Sequence, residues 1–200
     1  MRRDLDTAFV FSFTIRWFAL FANSEYAYGM LKAQDIVLLL KIAAMGGIPW
    51  RYDVLAQELG MSASEVHAGF KRAEKAHLAD PQSRQPIFPA LEEFLIHGIR
   101  YVFPAETGEL TRGIPTAHAV KPLATLFAKT QEPPSVWPCA EGRTRGFAFS
   151  PLYRSVPKAA KNDHQLYELL ALVDAIRGGR ARERQVAIQE LRRRLNPEST

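Results

Sequence analysis

The segment from Tyr52 to Leu78 places the tightest steric limits on how this chain folds. It has the pattern of two short helices that cross closely, because the small Ala56 lies inside the first helix and Gly60, which tolerates positive φ, follows four residues later. Ser62 opens the second helix with Glu65 three residues on, which is the spacing of a capping box. Apolar residues recur at helical spacing along one face of this second helix: Val66, Phe70 and Ala73. The pattern predicts a helix-turn-helix.

The opposite face of the second helix carries small, polar and cationic side chains. Such residues suit a DNA groove, which presents hydrogen-bond acceptors and is bordered by phosphates. We expect these side chains of the second helix to face double-stranded DNA: Ser62, Ser64, His67, Lys71 and Arg72. We expect Arg84, in the loop after the helix, to reach the neighbouring DNA backbone. The sequence therefore predicts sequence-specific DNA binding through this helix.

From Leu31 to Phe103 the chain resembles the bacterial winged helix-turn-helix regulators of the MarR-like group. The resemblance is carried by these residues: Leu55-Ala56, Leu59-Gly60, Ser62, Val66, Phe70 and Leu78. It implies a winged helix-turn-helix domain in a transcriptional regulator. Proteins with this motif typically bind two-fold related half-sites as dimers, so we expect a homodimer.

Three features depart from the regulator pattern. The segment that should form the wing, ADPQSRQPIF at 79–88, is short, rich in proline and without glycine. Gly69 interrupts the second helix and costs about 1 kcal/mol relative to alanine. Residues 31–80 hold 6 Lys or Arg and 6 Asp or Glu, whereas a dedicated DNA-binding motif is usually basic. The same helices also fit an alternative function, a protein–protein interaction module, antitoxin-like or structural, without DNA readout.

Composition divides the chain into four regions: a leader or extra helix at 1–30, the winged helix-turn-helix domain at 31–103, a proline-rich wrap at 104–157 and a C-terminal helical region at 158–200. Eight of the 13 prolines lie in the wrap, and they exclude a long regular helix there. Because the wrap also carries Trp137 and other aromatic residues, we expect it to be ordered but irregular. We expect a mainly α fold that ends in a helical pair broken at Gly178-Gly179.

The first C-terminal helix has a wide apolar stripe: Leu166, Leu169, Leu170, Val173 and Ile176. A stripe of this width on a helix at the edge of the domain indicates a partner surface. We expect this stripe to be buried between the two copies of the homodimer.

Residues 9–21, FVFSFTIRWFALF, are apolar with few interruptions. Thirteen residues are too few to span a bilayer, which needs about 20. A signal peptide is one interpretation, although Asp4, Asp6 and Arg16 are unusual in one. Two others remain open: an extra helix packed on the domain or on a second chain, and a start codon assigned too far upstream, with Met30 as the natural start.

No motif for catalysis or cofactor binding is found in the sequence. It has no Gly-x-Ser-x-Gly element, no phosphate loop and no Gly-x-Gly-x-x-Gly, and the spacing of His97, His118 and Cys139 matches no zinc site. The loop RGIPTAHA at 112–119 fits a structural role better than an anion site. With a single cysteine and a net charge of +5, we expect a cytoplasmic protein that is not an enzyme, holds no metal or cofactor, and does not enter the membrane.

Overall fold

The computed structural model describes residues 29–127 and 132–196. The apolar leader at 9–21 lies outside the described residues. Within them the chain is mainly helical, as predicted, with one small sheet. The α-helices are α1 (Ala33–Ala44), α2 (Tyr52–Leu59), α3 (Ala63–Lys75), α4 (Phe88–Glu93), α5 (Ile99–Val102), α6 (Leu123–Phe127), α7 (Val156–Asn162), α8 (His164–Gly178) and α9 (Ala181–Leu195). The strands are β1 (Thr107–Pro115), β2 (Ser135–Pro138) and β3 (Thr144–Phe149).

Helix α1 lies at the centre of the fold, between α3 and α8. The sequence suggests a one-sided apolar stripe on this helix, but every residue from Asp35 to Ile42 is buried. A helix surrounded on all sides needs this continuous apolar run. Lys41, the one buried base of α1, donates to Asp163 over 2.7 Å and contacts Glu58 over 2.8 Å. The inner helix is therefore tied to α2 and to the start of α8 by charge as well as by packing.

Helices α2 and α3 form where the sequence predicts them. Gly60 ends α2 with φ of +64°, and the Met61 N–H donates to the Ala56 carbonyl over 2.9 Å to close the turn. Ser62 caps α3: its hydroxyl accepts from the Glu65 N–H at 3.2 Å, and its own N–H donates to the Glu65 carboxylate at 2.8 Å. The capping box is confirmed, and it fixes where α3 begins.

A buried ion pair joins α3 to α1. Arg72 donates through Nε and Nη2 to the Asp35 carboxylate, at 2.8 and 2.6 Å. Asp35 is 0% exposed and Arg72 is 5% exposed. Gly69 makes room for this pair, because a Cβ at that position would lie 2.8 Å from Oδ1 of Asp35. The glycine that looks unfavourable in the sequence is therefore required by the close approach of the two helices.

This ion pair overturns the expectation that Arg72 faces DNA. The side chain leaves the outer face of α3 and turns inward, because its guanidinium donates to both oxygens of the buried Asp35 carboxylate. The hydrogen bond to Asp35 also raises the pKa of the guanidinium. The sequence prediction is wrong for this residue.

The proline-rich segment is more regular than expected, since it forms a three-stranded sheet. β1 pairs antiparallel with β2 and with β3, and β2 pairs parallel with β3, so the three strands close on one another. Two glycines permit such close strands: a Cβ on Gly113 would overlap the Trp137 carbonyl, and one on Gly146 would overlap the Pro134 carbonyl. The prediction of an irregular wrap is wrong for this part of the segment.

A buried carboxylate attaches the sheet to α8. Asp174 accepts hydrogen bonds from Thr116 Oγ1 at 2.8 Å, from Trp137 Nε1 at 2.6 Å and from Arg177 Nη1 at 2.7 Å. Burial raises the pKa of Asp174 in spite of the opposing charge of Arg177. Arg177 also donates to the Phe103 carbonyl over 2.9 Å. Thr116 belongs to the loop at 112–119, and its hydrogen bond to Asp174 gives that residue the structural role favoured from the sequence.

The C-terminal helical pair forms as α8 and α9, with the short α7 before it. The apolar stripe of α8 is buried within the chain, where α8 contacts α1, α7 and α9. Leu170, at the middle of the stripe, is 1% exposed. The expectation that this stripe forms a dimer surface is wrong, because the stripe belongs to the core of one copy. No helix among the described residues is both long enough and apolar enough to cross a membrane.

We predict that Arg72→Ala lowers the free energy of unfolding by about 3–5 kcal/mol, because it leaves the Asp35 carboxylate buried without its cation. Urea unfolding followed by tryptophan fluorescence measures the loss. The double variant Asp35→Ala/Arg72→Leu should recover part of it, and the exposed Lys75→Ala should change stability by less than about 0.5 kcal/mol. A loss for Arg72→Ala as small as that of Lys75→Ala contradicts the assignment.

We predict that Gly69→Ala destabilises the protein by about 1–3 kcal/mol, although alanine is the better helix former, because its methyl group meets the Asp35 carboxylate. In an Asp35→Ala background the obstacle is gone, and the same substitution should then be neutral or stabilising. Unfolding of the four proteins gives the comparison. The same sign of effect in both backgrounds rules out the steric explanation.

Candidate nucleic-acid interface

The outer face of α3 is open to solvent. Of the six residues predicted to contact DNA, three are exposed on this face, Ser64, His67 and Lys71, and a fourth, Ser62, is exposed at the N-cap of the helix. Lys75 continues the exposed row one turn further on. The inner face of the same helix is anchored in the core by Val66 and Phe70. The helix therefore presents small, hydrogen-bonding and cationic side chains on a backbone that its other side holds rigid.

The hydroxyl groups at the start of α3 are already engaged. Ser62 Oγ donates to Glu65 Oε2 at 2.9 Å and lies 3.1 Å from Ser64 Oγ. Hydrogen bonds from Ser62, above all from its backbone N–H, lower the pKa of Glu65. Of the two serines, Ser64 is thus the freer donor, while Ser62 mainly sets the first turn.

Lys71 pairs with Glu74 on the same helix, with 2.8 Å between Nζ and Oε2. The hydrogen bond to Glu74 raises the pKa of the Lys71 ammonium, so the group is a cation at neutral pH. An exposed pair of this kind contributes little to stability, because water and salt screen the two charges. Because the pair is weak, the ammonium can exchange Glu74 for a phosphate at little cost.

Tyr52, at the first residue of α2, borders the outer face of α3. Its ring centroid lies 5.1 Å from that of His67, and Trp50 packs edge-on against both Tyr52 and Phe70, again at 5.1 Å. Tyr52 is not among the residues that the sequence predicts to contact DNA. In the sequence, Tyr52 is marked only by a second aromatic residue, Trp50, two positions before it at the start of α2. A helix-turn-helix brings this end of its first helix close to the second helix.

The segment expected to form the wing is a tight turn. Ala79 and Pro86 form a single β-bridge, and the Asp80 N–H donates to the Gln85 carbonyl at 2.9 Å. The Asp80 carboxylate accepts from the N–H groups of Gln82 and Ser83. Hydrogen bonding by the Ser83 side chain, and then by these N–H groups, lowers the pKa of Asp80. The turn is too short to extend far beyond the domain.

Arg84 in this turn does not point outward. Its guanidinium lies 4.1 Å from the Trp50 ring centroid and 5.0 Å from that of Tyr52, within cation–π range. The Trp50 indole N–H also donates to the Arg84 carbonyl over 2.9 Å. The expectation that Arg84 reaches the DNA backbone is wrong, because the two aromatic rings hold its charge against the protein.

A loop that is distant in sequence supplies a cation near the start of α3. Tyr153 donates to Glu65 across 3.3 Å, and the guanidinium of the exposed Arg154 lies 5.7 Å from the Tyr153 ring. The charge of Arg154 helps to lower the pKa of Glu65. Arg154 could not be found from local pattern, since it enters the interface from the segment after β3.

The arginine run at the end of α9 is neutralised within the chain. Arg192 pairs with Glu92, Arg193 with Glu190, and Arg194 with both Glu168 and Glu190. The described residues bring no three His, Cys, Asp or Glu side chains together in a group that could hold a metal ion. The arginine run at the end of α9 is therefore less available for DNA than the exposed cations around α3.

Comparison of the chain with family models, with curated protein sequences and with solved structures gave no match.

Proposed function

We propose that the protein is a transcriptional regulator of the winged helix-turn-helix type, with its wing reduced to the turn at 79–88, and that it binds double-stranded DNA through the outer face of α3. The observation that carries the proposal is the two-sided character of α3. Its inner face is fixed to α1 by the Arg72–Asp35 pair. Its outer face keeps short polar and cationic side chains exposed, from Ser64 in the first turn after the capped N-terminus to Lys75 at the last residue of the helix. A helix that enters a major groove needs both properties.

The side chains divide into two roles. Ser64 and His67 lie in the first two turns of α3, where a recognition helix meets base edges, and each has a donor or acceptor for them. Lys71 and Arg154 suit phosphate contacts, which position the protein without reading sequence. Tyr52 packs beside His67 and limits its motion.

The positions of Arg84 and of the α8 stripe limit how the protein can recognise DNA and how it can form a dimer. The short turn at 79–88 holds Arg84 inward, so recognition is concentrated on α3 rather than shared with a wing. The α8 stripe is part of the core, so a dimer on a two-fold symmetric site would use another surface.

We predict that Lys71→Ala weakens binding to duplex DNA of any sequence and makes the slope of log K against log salt shallower by about one. His67→Ala should instead cost about 1–3 kcal/mol on a specific site and relax the choice of base at one position. Fluorescence anisotropy with the duplex upstream of the protein's own gene, and with a scrambled duplex, measures both effects.

Lys158→Ala is the matched control, because Lys158 is exposed on α7 and makes no ion pair among the described residues. Melting temperatures should stay close to that of the wild type for all three variants. If Lys71→Ala and His67→Ala both bind as tightly as the wild type at 150 mM salt, α3 is not the DNA reader, and a protein-contact role for the same helix gains ground.

A further inference from the structure

The outer face of the small sheet carries four exposed side chains, which we name the sheet patch: Leu110, Arg112, Arg145 and Phe147. In the β1–β3 register Arg112 lies directly opposite Arg145, and Leu110 lies directly opposite Phe147. Because side chains alternate along a strand, the two pairs are neighbours on one face. The partners that face inward between them are the tightly packed Gly146 and the half-buried Thr111.

The arginine pair is unfavourable as it stands. Like charges directly opposite each other across two strands repel and destabilise a sheet. Neither guanidinium has a hydrogen bond, ion pair or ring contact among the described residues. This contrasts with the arginines at the end of α9, each of which has a carboxylate partner. Two unpaired guanidinium groups on directly opposite residues of paired strands present an anion-binding surface.

The apolar pair is equally unpartnered. Leu110 is 45% exposed and Phe147 is 42% exposed. Phe147 also forms one wall of a cleft of about 140 Å³, which Phe149, Pro133 and His118 help to line. An apolar side chain from a partner could enter this cleft beside Phe147, where Glu132 is already paired with Arg180, while a neighbouring residue of the same segment covers Leu110.

We infer that the sheet patch docks an acidic segment of a partner protein. Carboxylates of the partner would accept paired hydrogen bonds from Arg112 and Arg145, a geometry that guanidinium and carboxylate groups share. An apolar side chain of the same segment would cover Phe147 and Leu110. The composition favours a protein over nucleic acid: aromatic residues and arginine are enriched in protein interfaces and lysine is depleted, and a phosphate backbone would leave the two apolar side chains in water.

The inference is independent of DNA binding by α3. The probe is a short fluorescent peptide in which Glu alternates with Leu, compared with the same peptide carrying Gln in place of Glu. Single-stranded and duplex oligonucleotides serve as competing anions. Anisotropy titrations at low and at physiological salt follow the binding of each probe.

Arg112→Glu is the decisive variant. It replaces the repulsive pair with an opposite-charge pair to Arg145, so the melting temperature should be unchanged or higher. Peptide affinity should nevertheless fall at least tenfold, and Phe147→Ser should weaken it further by removing the apolar contact. Lys158→Glu makes the same change of charge away from the patch and should leave peptide binding within about twofold of the wild type, a small difference on the affinity scale.

Four results would overturn the inference. They are no binding of the Glu–Leu peptide to the wild type, equal binding of the Gln peptide, retention of affinity by Arg112→Glu, and preferential binding of an oligonucleotide that is lost in the same variant. The last result would assign the patch to nucleic acid instead.

Discussion

The buried ion pair between Asp35 and Arg72 determines how the rest of the helical core is arranged. A carboxylate and a guanidinium withdrawn from water are tolerated only when each satisfies the other, and here two hydrogen bonds do so. The pair sets the distance between α1 and α3, and Gly69 is the residue that permits this distance. Because α1 is surrounded by the core and the ion pair joins it to α3, the position of α3 is fixed relative to the core. The outer face of α3 is thereby held in one orientation, as DNA recognition requires.

A second buried carboxylate, that of Asp174, holds the sheet in place as Asp35 holds α3. Asp174 gathers donors from the loop before α6, from β2 and from its own helix, and so fixes the three strands against α8. One network joins α1 to α3 and the other joins the sheet to α8, so the two networks hold two different surfaces. The outer face of α3 is polar, whereas the sheet patch combines arginine with exposed apolar side chains.

Short-range chemistry made part of this structure predictable. The turn at Gly60, the capping box from Ser62 to Glu65 and the exposed side of α3 depend on residues within a few positions of one another, and all three agree with the structure. Contacts between distant residues were not predictable in the same way. Arg72 has a cationic side chain at a position that borders the outer face, and only the presence of Asp35, 37 residues away, draws it inward. Arg84 is withdrawn for a similar reason, by Trp50 and Tyr52.

The sheet and the burial of the α8 stripe also depend on contacts between distant residues, which the local sequence pattern does not predict. The prolines in 104–157 predict an irregular chain. The use of Gly113 and Gly146 in closing three strands cannot be predicted locally, because it depends on pairing between separate segments. The stripe on α8 was attributed to a dimer, since periodicity indicates an apolar face without saying what covers it. In both cases, the sequence pattern of one segment does not show which other segment packs against it.

The most direct test is a nuclear magnetic resonance titration of the labelled protein with duplex DNA. If the outer face of α3 is the reader, amide resonances from Ser64 to Lys71, and that of Tyr52 beside them, should shift most, while those of Arg112 and Arg145 should stay in place. The same experiment on Lys71→Ala should give smaller shifts at matched concentrations. Shifts that leave α3 untouched and fall on the sheet, or no shifts at low salt, would contradict the account.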